Sequence, residues 1–338
     1  MTADIWDVII VGAGLSGLSA AYLFKKRNPK LRILVLEGKD RVGGRTVTSE
    51  IPAANGVDHW DFGGQWVGST QIHLLELIKE LGLETYPQFN TGKKVHHMGR
   101  PDAKVRTYRT SIPALSPWVL MDLTQILWKG GTQQLSECLA ERVGWKNVRL
   151  GSAVTAIWQD AEWARVTTNT DTLLCRAVIV TCPPHLAAKI HYEPALPSQR
   201  EFLTQNMPVG HMIKFIITYQ TAFWKENGFS GEIVAGSSTN CPFSVTFDAT
   251  SPSGNAALVG FIAGKHASQW SSKEAGVRRE AVISSLVNYL GPEAASFIHY
   301  QEKDWANEDY SGGCPVNVMA PDNMQVCYSV GYSEMQQV

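Results

Sequence analysis

The sequence predicts an α/β protein in which a doubly wound (Rossmann-like) parallel sheet is interleaved with a second unit of β-sheet and helix. Three observations carry that reading. Ile5 to Val11 is a short apolar run, as expected of a strand buried on both faces. The chain then turns through Gly12-Ala13-Gly14-Leu15-Ser16-Gly17 into a stretch with helical spacing. A second apolar run, Leu31 to Glu37, follows. Strand, glycine turn, helix and strand in that order open a doubly wound sheet.

The first helix, Ser16 to Arg27, puts Leu18, Tyr22 and Leu23 on one face and stops at Asn28-Pro29. Two glycine-rich loops come next, Arg41 to Arg45 and Asp61 to Gly68. Gln71 to Leu81 has amphipathic helical spacing, which Gly82 ends. Phe89 to Ser116 shows no clear period; His96-His97, Arg100, Arg106 and Arg109 there suit a loop or β-ribbon. Trp118 to Trp128 is apolar enough for a helix. Gly130-Gly131-Thr132 opens a helix with Leu135, Leu139 and Val143 on one face. Strands are expected at 148–157, 164–168 and 177–181, the last ended by Pro183-Pro184. More follow near 212–219, 233–235, 243–248 and 257–262, then a helix near 274–290. From Asp304 on, the chain is rich in Gly, Pro, Tyr and Ser.

Composition narrows the function classes. The 338 residues are 44% hydrophobic and 18% charged, a globular mix, and the length suits two or three domains at ~100–200 residues each. Thirty basic side chains face 31 acidic ones, so no basic excess points to nucleic acid or an anionic membrane. Six cysteines without a C-x-x-C pair make a disulfide scaffold, a zinc site or a dithiol centre poor readings. No apolar run reaches the ~18 residues of a membrane span, and the N-terminus lacks the pattern of a signal peptide. The expected location is intracellular, cytoplasmic by default.

The G-x-G-x-x-G turn carries the strongest local chemistry. Gly12 permits the tight turn, Gly14 lets a pyrophosphate approach the backbone, and Gly17 lets helix pack on strand. The helix start at Leu15 and Ser16 presents free N–H groups and a positive dipole end to phosphates. Glu37 lies 20 residues after Gly17, where a carboxylate accepts ribose hydroxyls. The next loop separates FAD from a nicotinamide: Arg41-Val42-Gly43-Gly44-Arg45 offers two glycines for close approach and Arg45 for a phosphate or a flavin carbonyl. Other groups have plainer readings. His96-His97 lacks a nearby third ligand, so no metal site is expected. Asp58 and Asp61 suit loop capping better than an acid/base pair. Lys214 is the only charged residue in 212–219, and alternation along that strand leaves it inward or outward. Cys314 follows Gly312-Gly313, but a lone cysteine is more often a small buried apolar residue.

GAGLSG, then the acid, RVGGR and DFGGQWVG together resemble the flavin-containing amine oxidases, the monoamine oxidase family. Further matches follow in the same order: GGTQQLSECLAERVG with VRLGSAV, AVIVTCPPHLAAKIHYEPALP, MPVGHMIKFIITYQTAFW and DWANEDYSGGCP. The resemblance covers the chain to about Met324 and implies FAD as cofactor. It assigns Gly12, Gly14, Leu15, Ser16, Gly17, Glu37, Gly43, Gly44 and Arg45 to the ADP part and diphosphate. Gly63, Gly64 and Gln65 would lie near the flavin, and the backbone of Val154 would touch the adenine. Lys214 matches a lysine that holds a water near the flavin's hydride-accepting nitrogen. Trp305 matches an aromatic beside the isoalloxazine. Cys314 matches the cysteine that carries the flavin as a thioether in the covalent members; many relatives bind FAD non-covalently, and Pro315 stands where the covalent vertebrate enzymes have tyrosine.

Two departures from the family stand out. Relatives carry a long helical substrate domain between the segment like SPWVLMDLTQILWK and the one like GGTQQLSE; here these abut at Lys129-Gly130. Relatives also follow SGGC with a GTE-containing stretch, whereas this chain ends QVCYSVGYSEMQQV. The expected division is therefore 1–88, 130–187 and 301–324 for the FAD-binding domain, 89–129 for a remnant of the substrate domain, 188–300 for the rest of it, and 325–338 for a divergent tail. The C-terminal anchor that addresses some relatives to the mitochondrial outer membrane is not expected.

The resemblance implies oxidation of primary or secondary amines, with dioxygen reduced to hydrogen peroxide. Two alternatives stand beside it. One is a catalytically inactive, shortened relative with weak or no FAD binding, acting through a homo- or hetero-oligomer with a full-length partner. The other is a related flavin oxidase of polyamines or amino acids.

Overall fold

The computed structural model describes residues 5–97, 104–109, 125–235 and 241–319. In chain order the strands begin with β1 (Ile5–Val11), β2 (Ile33–Leu36), β3 (Thr48–Ala53), β4 (Gly56–Asp61), β5 (Trp66–Gly68), β6 (Thr85–Pro87) and β7 (Lys93–His97). Then come β8 (Arg106–Tyr108), β9 (Gln125–Trp128), β10 (Val148–Arg149), β11 (Val154–Gln159), β12 (Ala164–Thr168), β13 (Thr172–Val180) and β14 (His191–Glu193). The last are β15 (Met212–Tyr219), β16 (Phe229–Ala235), β17 (Val245–Asp248), β18 (Ala256–Ala263) and β19 (Phe297–Asp304). Among the described residues, the first three helices longer than one turn are α1 (Leu15–Arg27), α2 (Ile72–Leu81) and α3 (Gln133–Val143).

The described residues form two compact units. Unit one gathers 5–46, 133–210 and 307–319. Its seven-stranded sheet has the order β10-β2-β1-β13-β12-β11-β14. β1 runs parallel to β2 on one side and β13 on the other, and β12 is antiparallel to both of its neighbours. All four residues of β2 are buried, as the unbroken apolar run requires of a strand covered on both faces. Ile9, Val11, Leu34, Leu36, Ile157 and Val166 make one core, and each such side chain contributes roughly 1.5–3 kcal/mol on full burial. α1 packs on α3, with Leu18 and Ala21 buried on one helix and Leu135, Leu139 and Val143 on the other.

Unit two gathers 47–97, 104–109, 125–132, 211–235 and 241–306. Its seven-stranded sheet runs β19-β15-β18-β17-β16-β7-β8, beside a β3–β4 hairpin and a small β5-β9-β6 sheet. β15 lies between two antiparallel neighbours. Ile213, Phe215, Ile217 and Tyr219 face a core with Trp224, Phe243 and three residues of the helix Ala275–Leu290: Val282, Leu286 and Leu290. On the opposite face Ile216 packs with Ile51, Trp60, Phe62 and Val259, and Thr218 donates to Pro52 O at 2.8 Å. β15 thus has no solvent face. The choice between an inward and an outward Lys214 does not arise, because both faces of the strand are covered.

Several expectations change. Residues 125–128, expected as the end of a helix, form strand β9 between β5 and β6; 118–124 lie outside the described residues. The backbone ladder to two short strands outweighs the apolar composition there. The strand expected at 148–157 is two strands, parted at Leu150–Ala153. The β3–β4 hairpin was missed, although Asn55-Gly56 with φ +95° at the glycine is a hairpin turn signal. The chain changes unit at 46/47, 132/133, 210/211 and 306/307, whereas the expected cuts fall at 88/89, 129/130, 187/188 and 300/301. The β3–β4 hairpin and the β5-β9-β6 sheet belong to unit two, and β14 pairs with β11 in unit one. The cut expected at 324/325 lies outside the described residues.

Candidate active site

Unit one holds the glycine turn. A Cβ at Gly17 would sit 2.0 Å from Gly12 O, so only glycine lets α1 start this close to the end of β1. Gly14 is different: a Cβ there would meet nothing within 4 Å. Gly14 caps α1 with no side-chain bond, and the first intrahelical bond runs from Leu18 N to Gly14 O at 3.0 Å. The amides of Leu15, Ser16 and Gly17 precede that bond, so the helix start meets open space with donors facing outward. Gly43 forms a bridge with Gly14, and its N–H donates to Ala13 O at 2.9 Å, so the second glycine loop backs onto the first.

Glu37 is buried at the end of β2. One carboxylate oxygen accepts from Ala13 N at 2.7 Å and the other from Lys39 N at 3.0 Å. Each oxygen keeps a second lone pair for a hydroxyl. Arg45 is half-buried and donates to Pro315 O at 2.7 Å. Val154 opens β11 opposite Thr168. Cys314 is buried and its N–H donates to Gly210 O at 2.9 Å, and a Cβ at its neighbour Gly313 would lie 2.4 Å from the same oxygen.

Glu308 and Lys39, which sequence reasoning passed over, join Arg41 in a cluster within this unit. Glu308 accepts from Arg41 Nη2 at 2.9 Å and from Lys39 Nζ, while Arg41 also donates to Gly44 O at 3.0 Å. Ser136 on α3 is 1% exposed, and its hydroxyl has no hydrogen-bond partner among the described residues. The clear space over Gly14 and the uncapped helix start fit a bound dinucleotide such as FAD.

Unit two holds a second group of candidate residues. Lys214 is 1% exposed; its Nζ donates to Gly63 O at 3.0 Å and to Gln65 Oε1. It also lies 5.7 Å from the ring centre of Trp66 and 5.4 Å from that of Phe261. Trp66 meets Phe247 edge-on, with ring centres 5.4 Å apart. Trp305 is buried, with its indole N–H donating to Phe62 O at 2.8 Å. Gly64 O accepts from Thr132 Oγ1 at 2.7 Å. Lys214, Trp305, Gly63, Gly64 and Gln65 are therefore brought together within this unit.

The two aspartates do not pair. Asp61 is buried and accepts from Thr48 Oγ1 at 2.7 Å and Thr132 N at 2.8 Å; burial pushes its carboxyl up, partly offset by the charge of Lys214 and these bonds. Asp58 is also partly desolvated, but hydrogen bonds from Asn255, Ser251, Ser253 and His59 outweigh this and hold it below the usual range. His97 Nδ1 shares a 2.7 Å hydrogen bond with Tyr289 OH, and no group of three or more metal-type ligands occurs among the described residues. No described helix is long and apolar enough to cross a membrane.

A family profile described as flavin containing amine oxidoreductase matches residues 15–119 and 108–325. The "Probable flavin-containing monoamine oxidase A" of Dictyostelium discoideum is 31% identical over 416 aligned residues, covering 96% of this chain and 89% of that protein. The "Amine oxidase [flavin-containing] A" of Bos taurus is 31% identical, covering 95% and 77%. Among solved structures, wild-type putrescine oxidase bound to putrescine is 25% identical with a TM-score of 0.84, covering 95% of this chain and 90% of that one. With its α/β fold and glycine turn, the chain belongs to the flavin-containing amine oxidase family. The first alignment is longer than the chain itself, so that relative has residues this chain lacks.

Proposed function

We propose that the chain is an FAD-dependent amine oxidase that converts a primary or secondary amine, water and dioxygen to an aldehyde, ammonia or a smaller amine, and hydrogen peroxide. The observation that carries this is the buried Lys214 amino group, gripped by two oxygens of the 63–65 loop on a chain of this family. FAD, when bound, supplies the two-electron oxidation of the carbon beside the amine nitrogen.

The chain's own residues bind, orient and exclude water. Gly12, Gly14, Leu15, Ser16 and Gly17 would receive the diphosphate, and Glu37 the ribose. Gly43, Gly44 and Arg45 would complete that half, and Val154 the adenine contact. Lys214 would hold a water, with Gly63 O and Gln65 Oε1 fixing the direction of its amino group. The buried indole of Trp305 would give the flavin ring a flat apolar neighbour. Trp66, Phe247 and Phe261 supply apolar surface around Lys214, which suits a neutral amine better than an ammonium.

The amine itself is open to a screen. Relatives named for monoamines and for putrescine both match, so the test sets benzylamine and phenethylamine against putrescine, with peroxide as readout. Amine-dependent peroxide from the purified chain supports the proposal. Its absence with every amine, in protein that carries FAD, overturns it.

A further inference from the structure

Residues 61–65 of unit two each hold something specific. Asp61 Oδ1 accepts from Thr48 Oγ1 at 2.7 Å and from Thr132 N at 2.8 Å, with Thr132 Oγ1 at 3.0 Å. Phe62 O accepts from the Trp305 indole at 2.8 Å. Gly63 O and Gln65 Oε1 accept from Lys214 Nζ. Gly64 O accepts from Thr132 Oγ1 at 2.7 Å. Thr132 has one hydroxyl proton. The shorter contact gives it to Gly64 O, and the backbone N–H of the same residue serves Asp61. The loop is therefore pinned at its first and fourth residues by Thr132, and it grips Lys214 and Trp305 with the residues between and beside them.

Gly64 itself is exposed and Gly63 half-buried, but the side chains at the centre of this network are out of water. Asp61 is 8% exposed, Thr132 4%, Gln65 5% and Lys214 1%. Water cannot replace a lost partner cheaply at such a place, so each bond fixes geometry more firmly than a surface bond would. We infer that Asp61 and Thr132 are positioning residues: they lock loop 61–65 so that one frame sets both the direction of the Lys214 amino group and the seat of the Trp305 indole. What Lys214 and Trp305 do rests on the amine-oxidase reading; how they are held does not.

The test uses the full chain with FAD and three variants: Thr132→Val, Thr132→Ser and Asp61→Asn. Valine keeps the shape and removes the hydroxyl. Serine keeps the hydroxyl. Asparagine keeps the Oδ1 acceptor, to which Thr48 Oγ1 and Thr132 N donate. With the amine that the screen identifies, Thr132→Val is expected to lower kcat about tenfold with little change in KM, as for a small misplacement of reacting groups. Thr132→Ser is expected to restore kcat to within about twofold of the parent. Hydrogen–deuterium exchange of amides 62–66 should quicken in the valine variant and stay at the parent rate in the serine and asparagine variants. Parental kcat and parental exchange in Thr132→Val overturn the inference. So does a serine variant as slow as the valine variant, which would mark a packing effect. If the parent oxidises no amine, the functional reading fails by itself. The exchange pattern then decides the positioning inference alone: quickened in valine and not in serine supports it, unchanged in both overturns it.

Discussion

The glycine turn of unit one and the 61–65 loop of unit two are both tight and glycine-bearing, yet different forces hold them. The turn is held by exclusion. A Cβ at Gly17 has nowhere to go, and that demand is met within six consecutive residues. The loop is held by hydrogen bonds from Thr48, Thr132, Lys214 and Trp305, which arrive from four separate stretches of chain. A steric demand leaves a local signature in sequence. A convergent polar network does not.

The largest expected effect separates chemistry from binding. Lys214→Met should cut amine turnover by at least about a hundredfold while FAD content stays that of the parent, read by peroxide assay and visible absorbance. Unchanged turnover would sink the role given to Lys214. Next come the two glycines. Gly17→Ala should cost about 1–3 kcal/mol through the clash with Gly12 O, visible as a lower Tm of the FAD-free protein. Gly14→Ala should leave that Tm alone, since its Cβ meets nothing, and weaken FAD binding instead. Equal Tm losses at the two sites would erase the distinction between them.

Glu308→Gln removes the shared carboxylate of Lys39 and Arg41 and should cost about 2 kcal/mol in urea unfolding. The smallest effect is a pH dependence. The folded-state pKa of Asp61 is raised above its ordinary value of 3.8 by burial, so the folded state holds the proton more tightly than the unfolded one. The stability tied to that proton is present below 3.8 and is lost as pH rises through the raised value. Asp61→Asn should therefore flatten Tm against pH in this window; a parent curve already flat there would contradict the assignment.

Much of unit one was legible because its elements follow each other along the chain. Ile5 to Val11, the turn and Ile33 to Leu36 are adjacent in sequence and in the sheet. Unit two was legible element by element: β15 and the helix Ala275–Leu290 fell close to where spacing put them. The burial of Lys214 was not, because alternation says which residues share a face and not whether the other face is covered. β19 escaped notice because it is a sheet-edge strand of mixed polarity, FIHYQEKD, without alternation. Thr132 looked like the start of a helix, and only its distances to Asp61 and Gly64 give it another task.

On the proposed function, this chain still binds FAD although it lacks residues that its relatives have. The visible absorption spectrum of the purified full chain, before and after added FAD and gel filtration, tests it most directly. The expected result is the double band of oxidised flavin at close to one FAD per chain. A protein that stays colourless after FAD is added would contradict the account.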